Sequence, residues 1–203
     1  YENTRGLQRK IAKGTARIIQ ATISRGFNYW HVSFTVYERK RIPETHRNPG
    51  SVVGIDMGVG DHVIVAANPH GDEVMRRGLP TTISDHEKRI RHLQHKLSRK
   101  RGPDKRTKTA PSSRWIRANN QVRKYHNTMA NVRRDFAAKA VHKLAKNYET
   151  VVIEDLNVRA MMTCGGAYKR GLNRAIAQAS LADLRQRITY KTHWNGGVTI
   201  CLL

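Results

Sequence analysis

The stretch SVVGIDMGVG, residues 51–60, is an apolar run that stops at an acid, Asp56, with glycines on both sides. Further along the chain, VVIED at residues 151–155 does nearly the same, since its apolar run also ends in acids. A continuous apolar run like VVIED is typical of a strand buried on both faces, as in the parallel part of a sheet. The two stretches therefore predict an α/β sheet in which two strands end in carboxylates.

The charge balance indicates a nucleic-acid partner. The 203 residues include 38 Lys and Arg against 15 Asp and Glu, which gives a formal net charge of +23 and a pI near 10.9. Such a surface repels itself and favours a polyanion, of which nucleic acid is the first candidate. An anionic membrane is the weaker candidate, because no stretch approaches the roughly 18–20 apolar residues of a spanning helix. No signal peptide pattern opens the chain, so we expect a cytoplasmic, nucleic-acid-associated protein with no membrane partner.

Two cysteines, Cys164 and Cys201, form no C-x-x-C pair. Neither a disulfide framework nor a zinc site is therefore indicated, and a reducing cytosol fits. The length allows one domain with a real core and part of another. Because the chain starts at Tyr1 and stops directly after a strand-like run, we interpret it as a fragment or a truncated gene product.

Alternation with a period of two predicts a β-hairpin over residues 17–36. Gly26 and Asn28 supply the turn. We expect this hairpin to belong to a partial β domain over residues 1–42, followed by a charged, proline-containing linker over 43–50 and a second domain over 51–203. The apolar residues that share one face of each strand are Ile19, Ala21 and Ile23 in the first strand, and Trp30, Val32, Phe34 and Val36 in the second.

The second domain opens with three strand candidates, residues 52–56, 62–67 and 73–77, whose short connections predict an antiparallel meander. Ser84 and Glu87 form a capping box that predicts the start of a helix. The helical repeat that follows comprises Ile90, Leu93 and Leu97. After a flexible basic loop, a second run steps by three or four residues from Trp115 to Leu144. Together these runs predict a basic helical hairpin over about 84–147.

The end of the chain completes the order of elements. VVIED is followed by a loop marked by Gly165, Gly166 and Gly171. An amphipathic helix is predicted over residues 174–194, and a last strand over 198–201. The order βββ-α-β-α-β matches a ribonuclease H-like layout, a mixed α/β sheet with helices on its faces and with the basic helical hairpin inserted.

Two acids are the candidate catalytic and metal-binding residues. A site in a mixed α/β sheet lies beyond the carboxyl ends of its central strands, and Asp56 and Glu154 each end an apolar strand. If these strands are parallel neighbours, the carboxylates converge and repel each other unless a cation lies between them. Their hard oxygens suit Mg²⁺ or Mn²⁺, and two such ions can clamp the oxygens of a phosphodiester during hydrolysis. The alternative is that each acid only ends a buried strand.

Alternation along the strand sends Glu154 and Asp155 to opposite faces, so only one of them can point at a shared site. Asp61 is interpreted as a turn residue rather than a third ligand. Gly58 fits a site that backbone or substrate approaches closely, because it has no Cβ.

Residues 88–134 carry a nearly uniform positive charge, with Asp104 as their only acid. Like charges at helical spacing cost stability unless phosphates neutralise them, so we predict phosphate contact rather than an ordinary solvated face. Trp115 and Tyr125 could stack bases but at helical spacing are more often core. His92 and His95 are interpreted as surface residues. The residues predicted to bind nucleic acid are Lys88, Arg91, Arg99, Lys100, Arg101, Lys105, Arg106, Arg114, Arg117, Arg123, Lys124, Arg133 and Arg134.

Four segments resemble, in the correct order, the OrfB/TnpB family of proteins encoded by insertion sequences. They are GIDMGV at 54–59, NVRRDF at 131–136, VVIEDLNVRAM at 151–161 and LRQRITYKTHWNGGV at 184–198. This family is related to the type V CRISPR effectors. The resemblance extends to the N-terminal hairpin, which is similar to the end of the family's wedge domain, a small β-barrel.

The resemblance implies a transposon-encoded, RNA-guided DNA endonuclease with a RuvC-like site, a guide RNA and a target DNA. By position, Asp56 matches the first RuvC carboxylate and Glu154 the second, so both are implied as catalytic residues and as ligands of Mg²⁺ or Mn²⁺. The family's helical motif beside the site matches Asn131, Arg133, Arg134 and Asp135. Such a protein reads nucleic acid mainly through backbone charge and shape.

The chain departs from the family's pattern at both ends. The family continues past the strand at Val198 into a four-cysteine zinc ribbon and a helix with a third catalytic Asp, and it also has an N-terminal recognition lobe. We expect their absence to impair cleavage. Two hypotheses remain, a metal-dependent nuclease and a nucleic-acid-binding protein without cleavage. An actin-like ATPase is disfavoured because no Ser or Thr phosphate contacts follow Gly58.

Overall fold

The computed structural model describes residues 4–25, 30–39, 41–163 and 166–202. The chain divides into two compact units, residues 1–41 and residues 42–203, and each is described by itself. None of the helices within the described ranges is both long and apolar enough to cross a membrane.

The first unit consists of helix α1 (Arg5–Ala12) and the antiparallel strands β1 (Ala16–Arg25) and β2 (Trp30–Glu38). The predicted hairpin is therefore present, while its predicted turn at Gly26 and Asn28 lies outside the described residues. Both strands expose most of their apolar side chains to solvent. An ion pair between Lys10 of α1 and Glu38 of β2 (Nζ–Oε1 2.5 Å) joins the helix to the hairpin.

A β-bulge corrects the predicted face of β1. The register shifts between Ile18 and Gln20, so that Ile18 lies opposite Val36. A bulge inserts one extra residue and shifts the alternation of side chains behind it. Ile18 therefore takes the place that period-two alternation assigned to Ile19.

The second unit is built on a five-stranded mixed sheet with the order β5-β4-β3-β6-β7. Strands β3, β4 and β5 form an antiparallel meander, whereas β6 pairs in parallel with β3, and β7 pairs in parallel with β6. The predicted meander and the predicted parallel strand are both confirmed. The strand bounds are β3 Val52–Asp56, β4 Ile64–Ala67, β5 Glu73–Arg77, β6 Thr150–Glu154 and β7 Val198–Leu202.

Strand β4 begins two residues later than predicted. The backbone N–H of Gly58 donates to the carbonyl of Val63 (3.2 Å), which closes a tight turn before the strand. A Cβ at Gly58 would lie 2.9 Å from the carbonyl oxygen of His62. The glycine is thus required by a close approach of the backbone within this turn.

Helices α2 (Thr82–Ser98) and α3 (Ser113–Asn147) follow β5, and α4 (Val158–Met161), α5 (Ala167–Ala179) and α6 (Leu181–Trp194) follow β6. The predicted capping box at Ser84 is wrong. The helix begins at Thr82, and the Ser84 hydroxyl donates to the carbonyl of Thr81 (2.8 Å) from inside the first turn. The earlier start places Ile83 in the helix, where it is buried against α3 together with Ile90.

The single helix predicted over residues 174–194 is two helices. Ser180 adopts the left-handed conformation (φ 53°, ψ 43°), which no α-helix can continue through. The change of direction allows Leu181 and Leu184 of α6 to be buried in the core of the sheet. Gly171, predicted in a loop, lies inside α5, and Gly165 lies outside the described residues.

One face of the sheet forms the main core. Val53 and Ile55 of β3 and Val151 and Ile153 of β6 pack with residues of α3, α5 and α6, and each is at most 4% exposed. The alternate residues of β3 and β6 point to the other face, where they are exposed or half-buried. The candidate acids lie on that second face.

The segment predicted as a linker docks on the end of α3. His46 is only 3% exposed, its Nε2 contacts the carbonyl oxygen of Ala145 (3.2 Å), and its Nδ1 accepts from the N–H of Asn48 (3.0 Å). The amide of Asn48 donates to the carbonyl of Asn147 (2.9 Å). These bonds satisfy carbonyls that the last turn of a helix leaves without partners.

Candidate metal centre and nucleic-acid interface

Asp56 and Glu154 lie at equivalent positions on neighbouring parallel strands. Ile55 of β3 pairs with Ile153 of β6, and the two acids are the residues that follow. Neighbouring strands are about 4.8 Å apart, so both side chains leave the sheet close together. Because Ile55 and Ile153 are buried on the covered face, the two carboxylates share the opposite, exposed face. The structure brings these two predicted residues together.

The neighbours of the acid pair are apolar. Asp56 lies opposite Val65 of β4, and Glu154 lies opposite Leu202 of β7. Within the described residues, neither carboxylate accepts a hydrogen bond or forms an ion pair. Two anionic side chains side by side on adjacent strands destabilise a sheet unless a cation compensates them. The pair thus offers oxygen ligands that no other group occupies within the described residues.

Asp155 points away from this pair. Its carboxylate forms an ion pair with Arg185 of α6, and its N–H donates to the carbonyl of Leu202 (2.8 Å). The contact with the Cys201 thiol and the ion pair with Asp155 raise the pKa of Arg185 above its usual value. Asp155 is therefore engaged on the helical side, as strand alternation predicts, and Glu154 is the acid on the side of Asp56.

Asp61 belongs to the turn before β4, where its backbone carbonyl closely approaches Gly78. Among the described residues, no group of three or more His, Cys, Asp and Glu side chains is placed to hold a metal ion. The acid pair can supply two of the six oxygen ligands in the octahedral shell of Mg²⁺ or Mn²⁺. Carboxylate oxygens are suitable ligands for such an ion, but the two acids fill only part of its coordination shell.

The predicted basic surface lies on α2, α3 and the loop between them. Arg133 and Lys100 are half-buried, and the other predicted cations are exposed. None of the ion pairs found within the described ranges includes any of these side chains. Their charge is left uncompensated by the protein, as expected of a surface that phosphates neutralise.

One of these cations is held in a defined position. Arg133 of α3 donates from Nη1 to Oε1 of Gln178 in α5 (2.8 Å), and the amide nitrogen of Gln178 donates to Glu87 of α2 (2.6 Å). Beside this chain of hydrogen bonds lies a cavity of about 510 Å³ that Arg91 and Arg174 also line. Sequence reasoning missed Gln178 and Arg174, because contacts between helices distant in sequence leave no local signal.

The two aromatic candidates for base stacking take part in packing. Tyr125 is half-buried, makes an edge contact with His86 (ring centroids 5.0 Å apart) and carries the guanidinium of Arg89 5.8 Å above its ring. Trp115 is half-buried next to Gly102. For both residues, a role in packing therefore fits the structure better than a role in base stacking.

Together these features define a mixed α/β protein with an acid pair at the tips of two central strands and a basic helical surface. The sequence profile of the OrfB_IS605 family, described as "Probable transposase", matches residues 33–164, more than half of the chain. The chain belongs to this family.

Relatives with curated names agree with this assignment. The chain is 26% identical over 198 residues to "Putative RNA-guided DNA endonuclease InsQ" of Escherichia coli K12, a match that covers 93% of this chain and 45% of the relative. It is 28% identical over 197 residues to "Putative RNA-guided DNA endonuclease Rv2885c" of Mycobacterium tuberculosis, covering 97% of this chain and 41% of the relative. The chain thus spans less than half the length of these curated relatives.

A solved structure supports the fold. The protein in the cryo-EM structure of the Cas12f1–sgRNA–target DNA complex matches 98% of this chain and 38% of its own chain, with a TM-score of 0.58 and 15% identity. At this level of identity the match shows a shared fold, a mixed α/β arrangement around a mixed sheet.

Proposed function

We propose that this chain is the nuclease-domain portion of a transposon-encoded, RNA-guided DNA endonuclease, with Asp56 and Glu154 as its catalytic carboxylates. The observation that carries the proposal is the parallel pairing of β3 with β6, in the register that puts both acids at neighbouring strand tips. The strand order, with a meander followed by two parallel strands, supports a ribonuclease H-like sheet of the RuvC type. In this reading α2 and α3 are an inserted helical hairpin, and β1 and β2 are part of a wedge-type domain.

Asp56 and Glu154 would hold Mg²⁺ or Mn²⁺ through their carboxylate oxygens, because no other group of the protein occupies these oxygens within the described residues. When bound, such an ion supplies polarisation of a phosphodiester and a more acidic water molecule. The protein's own contribution is to fix the two carboxylates on rigid strands. The half-buried Val65 beside Asp56 reduces the access of water to one side of the pair.

The basic surface would hold the nucleic acid on which the acid pair acts. The relatives are named RNA-guided DNA endonucleases, and the solved neighbour carries a guide RNA and a target DNA. We infer the same two partners for this chain. The exposed cations of α2 and α3 would contact phosphates without reading bases, so sequence recognition would come from pairing between guide and target.

A second candidate function is nucleic-acid binding without cleavage. It is favoured by the partial ligand set, since no third acid joins the pair within the described residues. The two functions share the basic surface and differ only in what happens at the acid pair.

A nicking assay on supercoiled DNA with guide RNA and Mg²⁺ or Mn²⁺ separates these functions. We expect Asp56→Ala and Glu154→Gln to remove cleavage, whereas Asp155→Asn, which changes an adjacent acid on the other face, retains it. Cleavage that persists in Asp56→Ala would refute the assignment of the site. Binding of guide RNA with no cleavage by any variant, wild type included, would show that these 203 residues bind without cleaving, as the second function states.

A further inference from the structure

We propose that the loop joining α2 to α3, residues 99–112, is a preformed phosphate-binding finger whose shape is held by Asp104. The inference rests on the proposed nucleic-acid binding and adds to it a specific element and a positioning residue. The sequence predicts a flexible basic loop at this place, and the structure instead contains a closed and hydrogen-bonded one.

Two sets of backbone bonds close the loop. The N–H of Asp104 donates to the carbonyl of Thr109 (3.1 Å), which forms an isolated antiparallel bridge near the tip. At the base, both the N–H and the hydroxyl of Ser112 donate to the carbonyl of Arg101 (3.0 and 3.2 Å). The oxygen of the same hydroxyl also caps α3 by accepting from the N–H of Trp115 (3.2 Å). The loop is therefore tied to the start of a long helix.

Asp104 organises the tip between these closures. Its Oδ1 accepts from the N–H of Arg106 (2.8 Å) and from that of Thr107 (3.4 Å). Hydrogen bonds from the Thr107 side chain and from these two backbone groups lower the pKa of Asp104 below its usual value. Lys108 takes a left-handed backbone conformation (φ 54°), which is unfavourable for a residue with a Cβ and which the bonds around it must compensate.

Packing fixes the base of the finger. Gly102 lies against the indole of Trp115, because a Cβ at this position would be 3.0 Å from Nε1. The aromatic residue considered for base stacking therefore supports the loop. A larger side chain at Gly102 would push the strand of the loop away from α3.

The charge on the finger indicates its ligand. A charged segment that only needs solvation repels itself and extends, and it gains nothing from a fixed shape. Here hydrogen bonds hold the backbone that carries the cations in one shape, all the cations but Lys100 are exposed, and no ion pair within the described residues compensates them. A backbone of fixed shape that carries exposed cations suits the regularly spaced phosphates of a nucleic-acid backbone. The cations are Arg99, Lys100, Arg101, Lys105, Arg106 and Lys108.

Substitution of Asp104 tests the proposal because charge and shape predict opposite effects. Removal of an acid from a basic loop should tighten binding if only charge matters. If Asp104 holds the finger, Asp104→Ala should instead weaken binding roughly tenfold, because the tip must then be ordered on binding. Asp104→Asn keeps the Oδ1 acceptor and should bind at least as tightly as wild type. Asp85→Ala, with the same charge change on an exposed position of α2, is the matched control.

Affinity is measured by fluorescence anisotropy on the full chain, with single-stranded RNA, single-stranded DNA and duplex DNA of one sequence as probes. The probe for which Asp104→Ala loses the most affinity identifies the kind of nucleic acid whose backbone the finger contacts. Trypsin cleavage after Lys105, Arg106 and Lys108 is followed without nucleic acid, and we expect it to be faster in Asp104→Ala than in Asp104→Asn or wild type.

Tighter binding by Asp104→Ala, equal to that of Asp85→Ala, would overturn the proposal, as would equal trypsin cleavage of all variants. A wild-type chain that binds none of the three probes would overturn both the proposed function and the finger's role. Weaker binding by Asp104→Ala with no cleavage of DNA by the wild type would leave the finger supported and reject only the nuclease function.

Discussion

Compared with the wild type, the Asp56→Asn variant should be more stable in the absence of divalent cations and less stable in their presence. The substitution keeps the size of the side chain and removes one of two like charges on adjacent strands. Neither carboxylate has a compensating partner within the described residues, so the charge that is removed stabilises nothing in the metal-free protein. The metal-bound protein, in contrast, loses a ligand.

The magnitude follows from the exposed position of the pair. Like charges directly opposite on neighbouring strands cost about 0.2–1 kcal/mol. Relief of this repulsion should raise the melting temperature by roughly 0.4–4 °C in EDTA for a chain of this size. Binding of Mg²⁺ at about ten times its dissociation constant should stabilise the wild type by about 1.4 kcal/mol, and the variant should lose most of this gain. The order of the two melting temperatures is thus expected to reverse.

Thermal unfolding of both proteins in EDTA and in excess Mg²⁺ measures the effect. Asp155→Asn is the control, because it removes a neighbouring charge whose partner is Arg185. We expect this control to be destabilised in both buffers and to keep the full response to Mg²⁺. The reasoning is refuted if Asp56→Asn is destabilised in EDTA, or if Mg²⁺ stabilises it as much as the wild type.

Three further outcomes are expected. His46→Ala should lower the free energy of unfolding by about 1–3 kcal/mol in urea titrations, because the carbonyl of Ala145 loses its buried partner; an unchanged midpoint would contradict the docking of this segment. Gln178→Ala should weaken RNA binding by a few-fold at unchanged net charge, because Arg133 loses the bond that positions it; equal anisotropy curves would contradict this. The lowered pKa of Asp104 means that its contribution to the loop is complete above its ordinary pKa of 3.8 and is lost as the pH falls through the lower folded value. Protection factors of the amides at the tip, measured by NMR hydrogen exchange and corrected for the intrinsic exchange rate at each pH, should fall only in that window, and a fall that begins near neutral pH would contradict it.

Local patterns in the sequence were sufficient to locate the strands that carry the site. The bounds predicted for β3 and β5 agree with the structure because the apolar run of β3 ends at Asp56 and β5 lies between the turn at Gly71 and Gly78. The long helix α3 follows from its regular spacing of apolar residues. The position of Asp56 and Glu154 at the strand tips is a consequence of these same signals, whereas the parallel register that unites them is a long-range feature.

Two of the features that sequence reasoning missed depend on tertiary contacts. The left-handed Ser180 that divides α5 from α6 is stabilised by burial of Leu181 and Leu184, which propensity alone does not reveal. The docking of His46 on the end of α3 joins residues about a hundred positions apart in the chain. The order of the loop at Asp104 had a local signal, since an Asp that accepts from backbone two residues on is a common turn former.

The most direct test of the shared cation site is a titration of the labelled protein with Mn²⁺, a paramagnetic ion, followed by NMR. The account predicts that amide signals at the tips of β3 and β6, around Asp56 and Glu154, broaden together at the lowest Mn²⁺ concentrations. Either Asp56→Asn or Glu154→Gln should abolish the broadening at both tips. Broadening at only one of the two tips, or first at acids elsewhere such as Asp135 or Asp183, would contradict it.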